Sequence, residues 1–492
     1  MLGLRLASTV LTFALALPAF AAEVVPGKPT YPFARGFPTP AGAQSALDDA
    51  DLQRAMIAYR FWYPTVSVEC IFEGNRRAGI QDNVSMPILS AAPRHTVFTA
   101  NSDTPYGGGA IDLKDGPMVV ELPAGPFIAT ANDHHQEWIM DMGLPGPDAG
   151  KGGKHVVLPP GWKDAPPEGH HVGRSRTLKV LLAIRALPEN GDVKAAMDAL
   201  RSIKIYPLST ASAPKPLEYV DVTLKRINMT PLGLEESLDF WRKLHQVIDS
   251  EPLVETFRPM YGLLATLGIE KGKPLELNSP SPPIKRMKAI LQQAARDGRD
   301  QMLVSAFDST RPDRRAWEDH FWEWVGLVAD NGNFETPSGI DLEARDRWFV
   351  QAILTSPAMF RRTPGAGSLY WVGLRDAVGE YLDGGKTYKL TVPLPVPAKL
   401  FWSVTVYDAA TRSQIVTRQE KAALRSLFEL KDTGGAKSVD LYFGPKAPKG
   451  QEARWIQTTP DKGWFAYFRI YGPDEKAFDG TWWLNDFEPI AE

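Results

Sequence analysis

Three stretches of this 492-residue chain carry side chains of the kinds that hold ions or move protons. The first is Asn101-Ser102-Asp103-Thr104-Pro105-Tyr106. Asp103 could serve as a general base or a metal ligand, while Asn101, Thr104 and Tyr106 offer hydrogen bonds to a ligand. The same residue types also make turns. Asn, Ser and Asp bond their own backbone, and Pro105 with Gly107-Gly108-Gly109 would set the bend. On the sequence alone the turn is the simpler reading. The second stretch is Asp133-His134-His135-Gln136-Glu137, inside what reads as one strand over residues 127–141. Unbroken alternation would put Asp133, His135, Glu137 and Asp141 on one face and His134 on the other. Carboxylates flanking an imidazole suit acid/base or metal chemistry, and they equally suit a solvent-facing strand. No second His pair has ligand spacing, since His170-His171 falls in a Gly/Pro-rich loop, so no metal ligand is assigned.

The third stretch is near the C-terminus. In residues 464–471, Phe465, Tyr467, Arg469 and Tyr471 share one side of a strand, and Trp464, Ala466, Phe468 and Ile470 the other. In residues 400–407, Ser403, Thr405 and Tyr407 oppose Leu400, Trp402, Val404 and Val406. The more apolar set of each strand reads as core. The other set would place a guanidinium among aromatic rings and hydroxyls, an arrangement suited to an anionic or sugar-like ligand or to a structural Arg–Tyr network. Arg412 follows Asp408 by four residues and either adds to that charge or pairs with the aspartate.

Other chemistries find little support. There is no Gly-x-Ser-x-Gly elbow and no glycine-rich phosphate loop between a strand and a helix, and nothing nominates a serine nucleophile. A net charge of −3, without long basic runs, argues against a nucleic-acid partner. Cys70 is the single cysteine, which precludes an intrachain disulfide; among Val68, Ile71 and Phe72 it reads as an inert buried thiol. No cofactor is assigned.

These residues need a scaffold. Residues 1–21 have the layout of a secretory signal: Arg5, an apolar run over 6–17, then Ala19-Phe20-Ala21, with cleavage after Ala21 or Ala22 and a periplasmic or secreted product. The apolar run is shorter than the ~20 residues a transmembrane helix needs, and no later segment is apolar enough to span. Residues 22–64 read as an extended lead-in and one helix over 48–61. Residues 65–220 show short apolar runs split by Gly and Pro, the texture of an antiparallel β-sandwich. Residues 221–360 read as a helical domain, with one helix starting at Thr230-Pro231, a second carrying Ile284, Met287, Leu291 and Met302, and a third over 341–354. Trp317, Phe321, Trp322 and Trp324 form an aromatic cluster of unassigned conformation between them. Residues 361–492 return to β texture, with strands expected at 387–392, 399–407, 438–443 and 464–471.

The chain resembles a bacterial family that pairs two domains of unknown function, numbered 1254 and 1214. The N-terminal resemblance rests on Asn101-Ser102-Asp103-Thr104-Pro105-Tyr106, Gly116-Pro117-Met118, residues 146–154 and Leu158-Pro159-Pro160-Gly161-Trp162. The C-terminal resemblance rests on Asp383-Gly384-Gly385-Lys386, Phe401-Trp402-Ser403, Thr411-Arg412-Ser413, Tyr442-Phe443-Gly444-Pro445 and Arg469-Ile470-Tyr471-Gly472-Pro473. It departs from the family pattern in the loop before Ser438 and at Arg454, where an Asn is usual. The resemblance implies an α+β protein of two antiparallel jelly-roll-like sandwiches with a helical domain between them, commonly a homo-oligomer. It implies no catalytic residue. Two functions therefore stand open. One is a hydrolase or lyase on a small carboxylated or carbohydrate-like molecule, with Asp103, His135 or Glu137 as acid/base. Asn101, Thr104, Tyr106 and Tyr467 would be its ligand contacts and Arg469 or Arg412 its anion clamp. The other is a non-catalytic binding or assembly protein with an aromatic, Arg-lined groove. The enzyme requires Asp103 and Arg469 to converge where the two β domains meet.

Overall fold

A computed structural model describes residues 30–327, 331–365, 367–433 and 435–490. The expected signal segment lies outside the described residues. The chain divides into two compact units, ending at Ala50 and starting at Asp51. Residues 30–50 of the first hold a small antiparallel pair, Phe33–Ala34 with Phe37–Pro38, and the opening turns of the helix Pro40–Arg77. Everything below concerns the second unit.

The helix corrects the expected boundary: it continues to Arg77, through Pro64 and well into the stretch read as β. The reason is burial on every side. Residues 61–72 are buried except for Glu69, which is partly so. A helix apolar all round shows no 3.6-residue stripe, and its Val and Thr residues then imitate a strand. Cys70 lies on this helix, buried, and burial pushes its thiol up to about 12, so it is inert.

Two facing sheets follow. One is six-stranded, in the order Glu218–Asp221, Ser85–Ser90, Pro105–Asp112, Lys179–Ala186, Phe127–Asp133, Trp138–Gly143; the other has four strands, Lys204–Pro207, Met118–Leu122, Gly153–Leu158 and His170–Arg174. Alternate side chains of both, including Ile88, Val120, Val157 and Ile184, enter one buried cluster. The pairing is mixed rather than wholly antiparallel. Glu218–Asp221 runs parallel to Ser85–Ser90, and His170–Arg174 parallel to Gly153–Leu158. His170-His171 thus sits in a strand, not a loop.

The C-terminal sheets repeat the plan. A five-stranded sheet runs Trp322–Trp324, Ser368–Gly373, Trp464–Pro473, Ala398–Asp408, Ala423–Arg425, and a four-stranded one runs Trp455–Gln457, Ser438–Gly444, Thr387–Pro393, Glu488–Ile490. Val404 and Phe468 are register partners, both fully buried in the shared core with Trp371, Leu390 and Leu441. The unassigned aromatic cluster resolves here, as Trp322–Trp324 forms the sheet edge beside Ser368–Gly373.

Between the sandwiches in sequence lie the helices Leu238–Ser250, Arg258–Thr266, Pro282–Phe307 and Leu342–Phe349. Their apolar faces share a core with the buried helix, through Tyr59, Trp62, Trp241, Leu291 and Trp348. The helix expected from Thr230 begins at Leu238 instead. Ser237 caps it by accepting from the Asp239 N–H, while Asn228 ties up the Thr230 N–H and hydroxyl. Among the described residues no helix is long and apolar enough to cross a membrane.

Candidate functional site

The segment 101–106 and the C-terminal strands meet. Asn101 makes the turn expected of it: its Oδ1 accepts from the N–H groups of Asp103 (2.9 Å) and Thr104 (3.2 Å) and from the Thr104 hydroxyl. Its Nδ2 donates to the Tyr106 hydroxyl at 2.7 Å. Gly107-Gly108-Gly109, however, do not form a bend. They continue the strand Pro105–Asp112 across from Ala183 and its neighbours, and an ideal Cβ on Gly108 would lie 2.1 Å from the Leu182 carbonyl oxygen. Glycine is required there by close backbone approach.

Asp103 points at the C-terminal sheet. Its Oδ2 accepts from Ser403 Oγ at 2.8 Å and from the Tyr471 hydroxyl at 3.1 Å, and its Oδ1 has no hydrogen-bond partner among the described residues. Arg469, on the same face of the Trp464–Pro473 strand as Tyr471, donates to the Thr99 carbonyl at 2.7 Å, with the rings of Tyr467, Tyr407 and Tyr370 5.0–5.6 Å from its guanidinium carbon. Burial works against its charge, and the surrounding hydroxyls and the Asp103 carboxylate outweigh it, leaving the guanidinium above its ordinary value. Burial also pushes the phenols of Tyr106, Tyr467 and Tyr471 up, so all three stay protonated.

Beside this contact lies a cavity of about 170 Å³. Its floor is the outer face of the six-stranded sheet, where register aligns two rows. Leu89, Tyr106, Arg185 and Ile128 form one, and Gly108, Ala183, Thr130 and Asp141 the next. The second row is hollow because glycine and alanine occupy its middle. Opposite stand Tyr370, Tyr467 and Arg469 of the C-terminal sheet, with Trp348, Leu354 and Met359 from the helical segment. Asn101 and Tyr106 line the cavity, whereas Asp103 and Thr104 support its wall from behind.

Arg185 was not anticipated. The only trace of it in the sequence is one cation in the otherwise apolar alternation of Leu181, Ala183 and Arg185. It bonds the Tyr370 hydroxyl, and its charge is held up against burial by Tyr370, Tyr106 and Tyr471. Among the described residues neither Arg185 nor Arg469 has a carboxylate within salt-bridge distance, and Nη1 of Arg469 lacks any hydrogen-bond partner. At the far side, Asp141 accepts from Ser356 Oγ (2.7 Å) and Trp138 Nε1 (3.2 Å), and burial raises its carboxyl above the usual range.

The remaining candidates lie elsewhere. The strand expected over 127–141 is broken at residues 134–137, where Gln136 adopts φ 62°. Asp133, His135 and Glu137 therefore do not share a face with Asp141, and none of residues 133–137 lines the cavity. They form a buried ionisable cluster. Asp133 Oδ1 accepts from the N–H groups of His135 (2.8 Å) and Glu137 (3.0 Å); burial and the Glu137 charge push the Asp133 carboxyl up to about 7. His135 bonds Thr65 Oγ1 at 2.9 Å beside the Trp62 ring, and burial lowers it well below the ordinary imidazole value. Glu137 pairs with Arg176 at 2.8 Å. His134 stands between Glu251 (2.9 Å) and Glu69 (3.2 Å); burial opposes its charge, but the two carboxylates prevail and raise it. Arg412 does not pair with Asp408 through its side chain. Its Nη2 reaches both oxygens of Glu235 at 2.8 and 2.9 Å under the Phe98 ring, fully buried and outside the cavity. Among the described residues no group of three His, Cys, Asp or Glu side chains could hold a metal ion.

Two pairs of facing β-sheets with helices between them in sequence make this a mixed α+β protein. The family described as a protein of unknown function (DUF1254) matches residues 83–207, and that described as a protein of unknown function (DUF1214) matches residues 367–475. The chain thus carries both domains of a two-domain family of unknown function, in that order. Among solved structures it is similar to the VPA0106 protein from Vibrio parahaemolyticus, with TM-score 0.56 and 17% identity over 90% of this chain and 100% of that one, a likeness of fold. An uncharacterized protein from Burkholderia cenocepacia aligns with TM-score 0.40 and 11% identity over 91% of this chain and 97% of that one. No curated protein matches the sequence.

Proposed function

We propose that the protein binds a small carboxylated molecule in the cavity between the two sandwiches, held by Arg185 and Arg469. One observation carries this reading: Arg469, buried beside Asp103, and Arg185, half-buried among Tyr370, Tyr106 and Tyr471, both line one largely apolar cavity, and neither forms a salt bridge among the described residues. A buried cation without a counter-ion is costly, and an incoming anion relieves that cost. Asn101 and Tyr106 add hydrogen bonds at the same end. Of the two functions left open by the sequence, this favours the binding protein. The hydrolase or lyase called on His135 and Glu137, which lie outside the cavity, and Asp103 alone is a weak basis for acid/base chemistry.

The test is calorimetric titration of organic acids into the purified protein and its Arg185→Gln and Arg469→Gln variants. Each loss of a charge-assisted contact should weaken binding by about tenfold or more. Affinity unchanged from the parent in both variants refutes the clamp. We also propose export to the periplasm or medium on the strength of the Arg5-to-Ala22 layout, and a mature N-terminus at residue 22 or 23 is the expected mass-spectrometric result. The finer assignments, jelly-roll topology for both sandwiches and assembly into a homo-oligomer, rest on the family resemblance; an experimental structure tests the first and light scattering the second.

A further inference from the structure

The geometry points to a ligand class: a monocarboxylate with an apolar body about the size of one six-membered ring and a hydrogen-bond donor at its far end, where it meets Asp141. This rests on the anion-binding reading above and deepens it.

Size comes first. An apolar cavity of about 150 Å³ takes benzene, and this one is about 170 Å³. Wall chemistry comes second. Between its two polar ends the cavity presents Ile128, Leu181, Ala183, Leu354 and Met359, with Gly108 in the floor. A sugar acid carries a hydroxyl on nearly every carbon, and against such a wall most would lose water without gaining a partner. A ring or short hydrocarbon body forfeits nothing there. The separation of the ends comes third. Arg185 is in register with Ile128, and Asp141 with Thr130 two residues further along. The two polar residues are thus two strands and two residues apart, about 12 Å between their Cα atoms on standard sheet spacings. With the side chains reaching inward from each end, one ring with opposed substituents bridges that gap. Polarity comes last. Asp141 accepts from Ser356 and Trp138, and a carboxylate has room for a further donor. It welcomes a hydroxyl and repels a second carboxylate, so the site selects against diacids as well as for acids.

The experiment is calorimetric titration of the purified protein with five probes: benzoate, 4-hydroxybenzoate, terephthalate, gluconate and benzyl alcohol. The expected ranking places 4-hydroxybenzoate first and benzoate next, with terephthalate, gluconate and benzyl alcohol about tenfold or more weaker than benzoate. Asp141→Asn should narrow the gap between the two benzoates and admit terephthalate, and Arg469→Gln should weaken both benzoates alike. If gluconate binds more tightly than benzoate and depends on Arg469, the apolar body is wrong while the clamp survives. Terephthalate binding as well as benzoate removes Asp141 from the assignment. If no acid binds, or binding ignores both arginines, the clamp falls and this inference with it. The ranking on the unmodified protein decides the ligand class even where a variant fails to fold.

Discussion

Filling the cavity should stabilise the protein and abolish binding together. Ala183 sits mid-floor, in register with Gly108 on one side and Thr130 on the other. Its side chain shares the cavity face with Leu181 and Arg185, so Ala183→Leu adds three carbons to space that is otherwise vacant. At ~0.8 kcal/mol per buried carbon, the gain is about 2 kcal/mol. An upper limit follows from the cavity itself: about 170 Å³ at ~24 cal/mol per Å³ is about 4 kcal/mol. Gly108→Ala, one strand away in the same row, should do the opposite, because its new Cβ meets the Leu182 carbonyl at 2.1 Å and its φ of +135° disfavours any side chain. Equilibrium urea unfolding measures both, and titration with benzoate measures the site. If Ala183→Leu is destabilised in urea unfolding where about 2 kcal/mol of gain is expected, or still binds acid as the parent does, the space is not a ligand cavity of this shape and the reasoning fails.

Three further outcomes follow from the buried charges. Glu235→Ala strands Arg412 without its carboxylate and should cost about 3–5 kcal/mol in urea unfolding; a loss below ~1 kcal/mol contradicts a buried pair there. Asp133 has its folded-state pKa raised to about 7 from 3.8, so its contribution is fully present below pH 4 and is lost as pH rises towards and through 7. Asp133→Asn should accordingly show a smaller fall in stability than the parent between pH 5 and about 8, and identical pH profiles would remove the buried-acid assignment. Asp103→Asn keeps an oxygen for Ser403 and Tyr471 but removes the carboxylate that acts on Arg469, so benzoate should bind more tightly; weaker binding at unchanged stability would mean Asp103 touches the ligand.

Period-two alternation was enough to find the C-terminal sheet. Trp464, Ala466, Phe468 and Ile470 enter the sandwich core and Phe465, Tyr467, Arg469 and Tyr471 the opposite side, because successive side chains of a strand alternate. Both sides are buried, but one is wholly apolar and the other carries polar groups, so the alternation stays visible. Alternation failed where no polar side chains mark one face, and where the strand breaks. The helix through residues 61–72 is apolar all round and lost its helical signature, and the hairpin at 134–137 turns within a run too polar and too short to announce itself. Local sequence therefore determined that the segment 101–106 carries hydrogen-bonding side chains and that Arg469 stands among aromatic residues on one side of its strand. Only the tertiary structure decided their company: it set Arg185 beside Tyr370, gave Arg412 to Glu235, and moved His135 and Glu137 to a separate cluster. The physical reason is that a buried charge takes its properties from partners hundreds of residues away, and side-chain spacing along one chain contains no term for them.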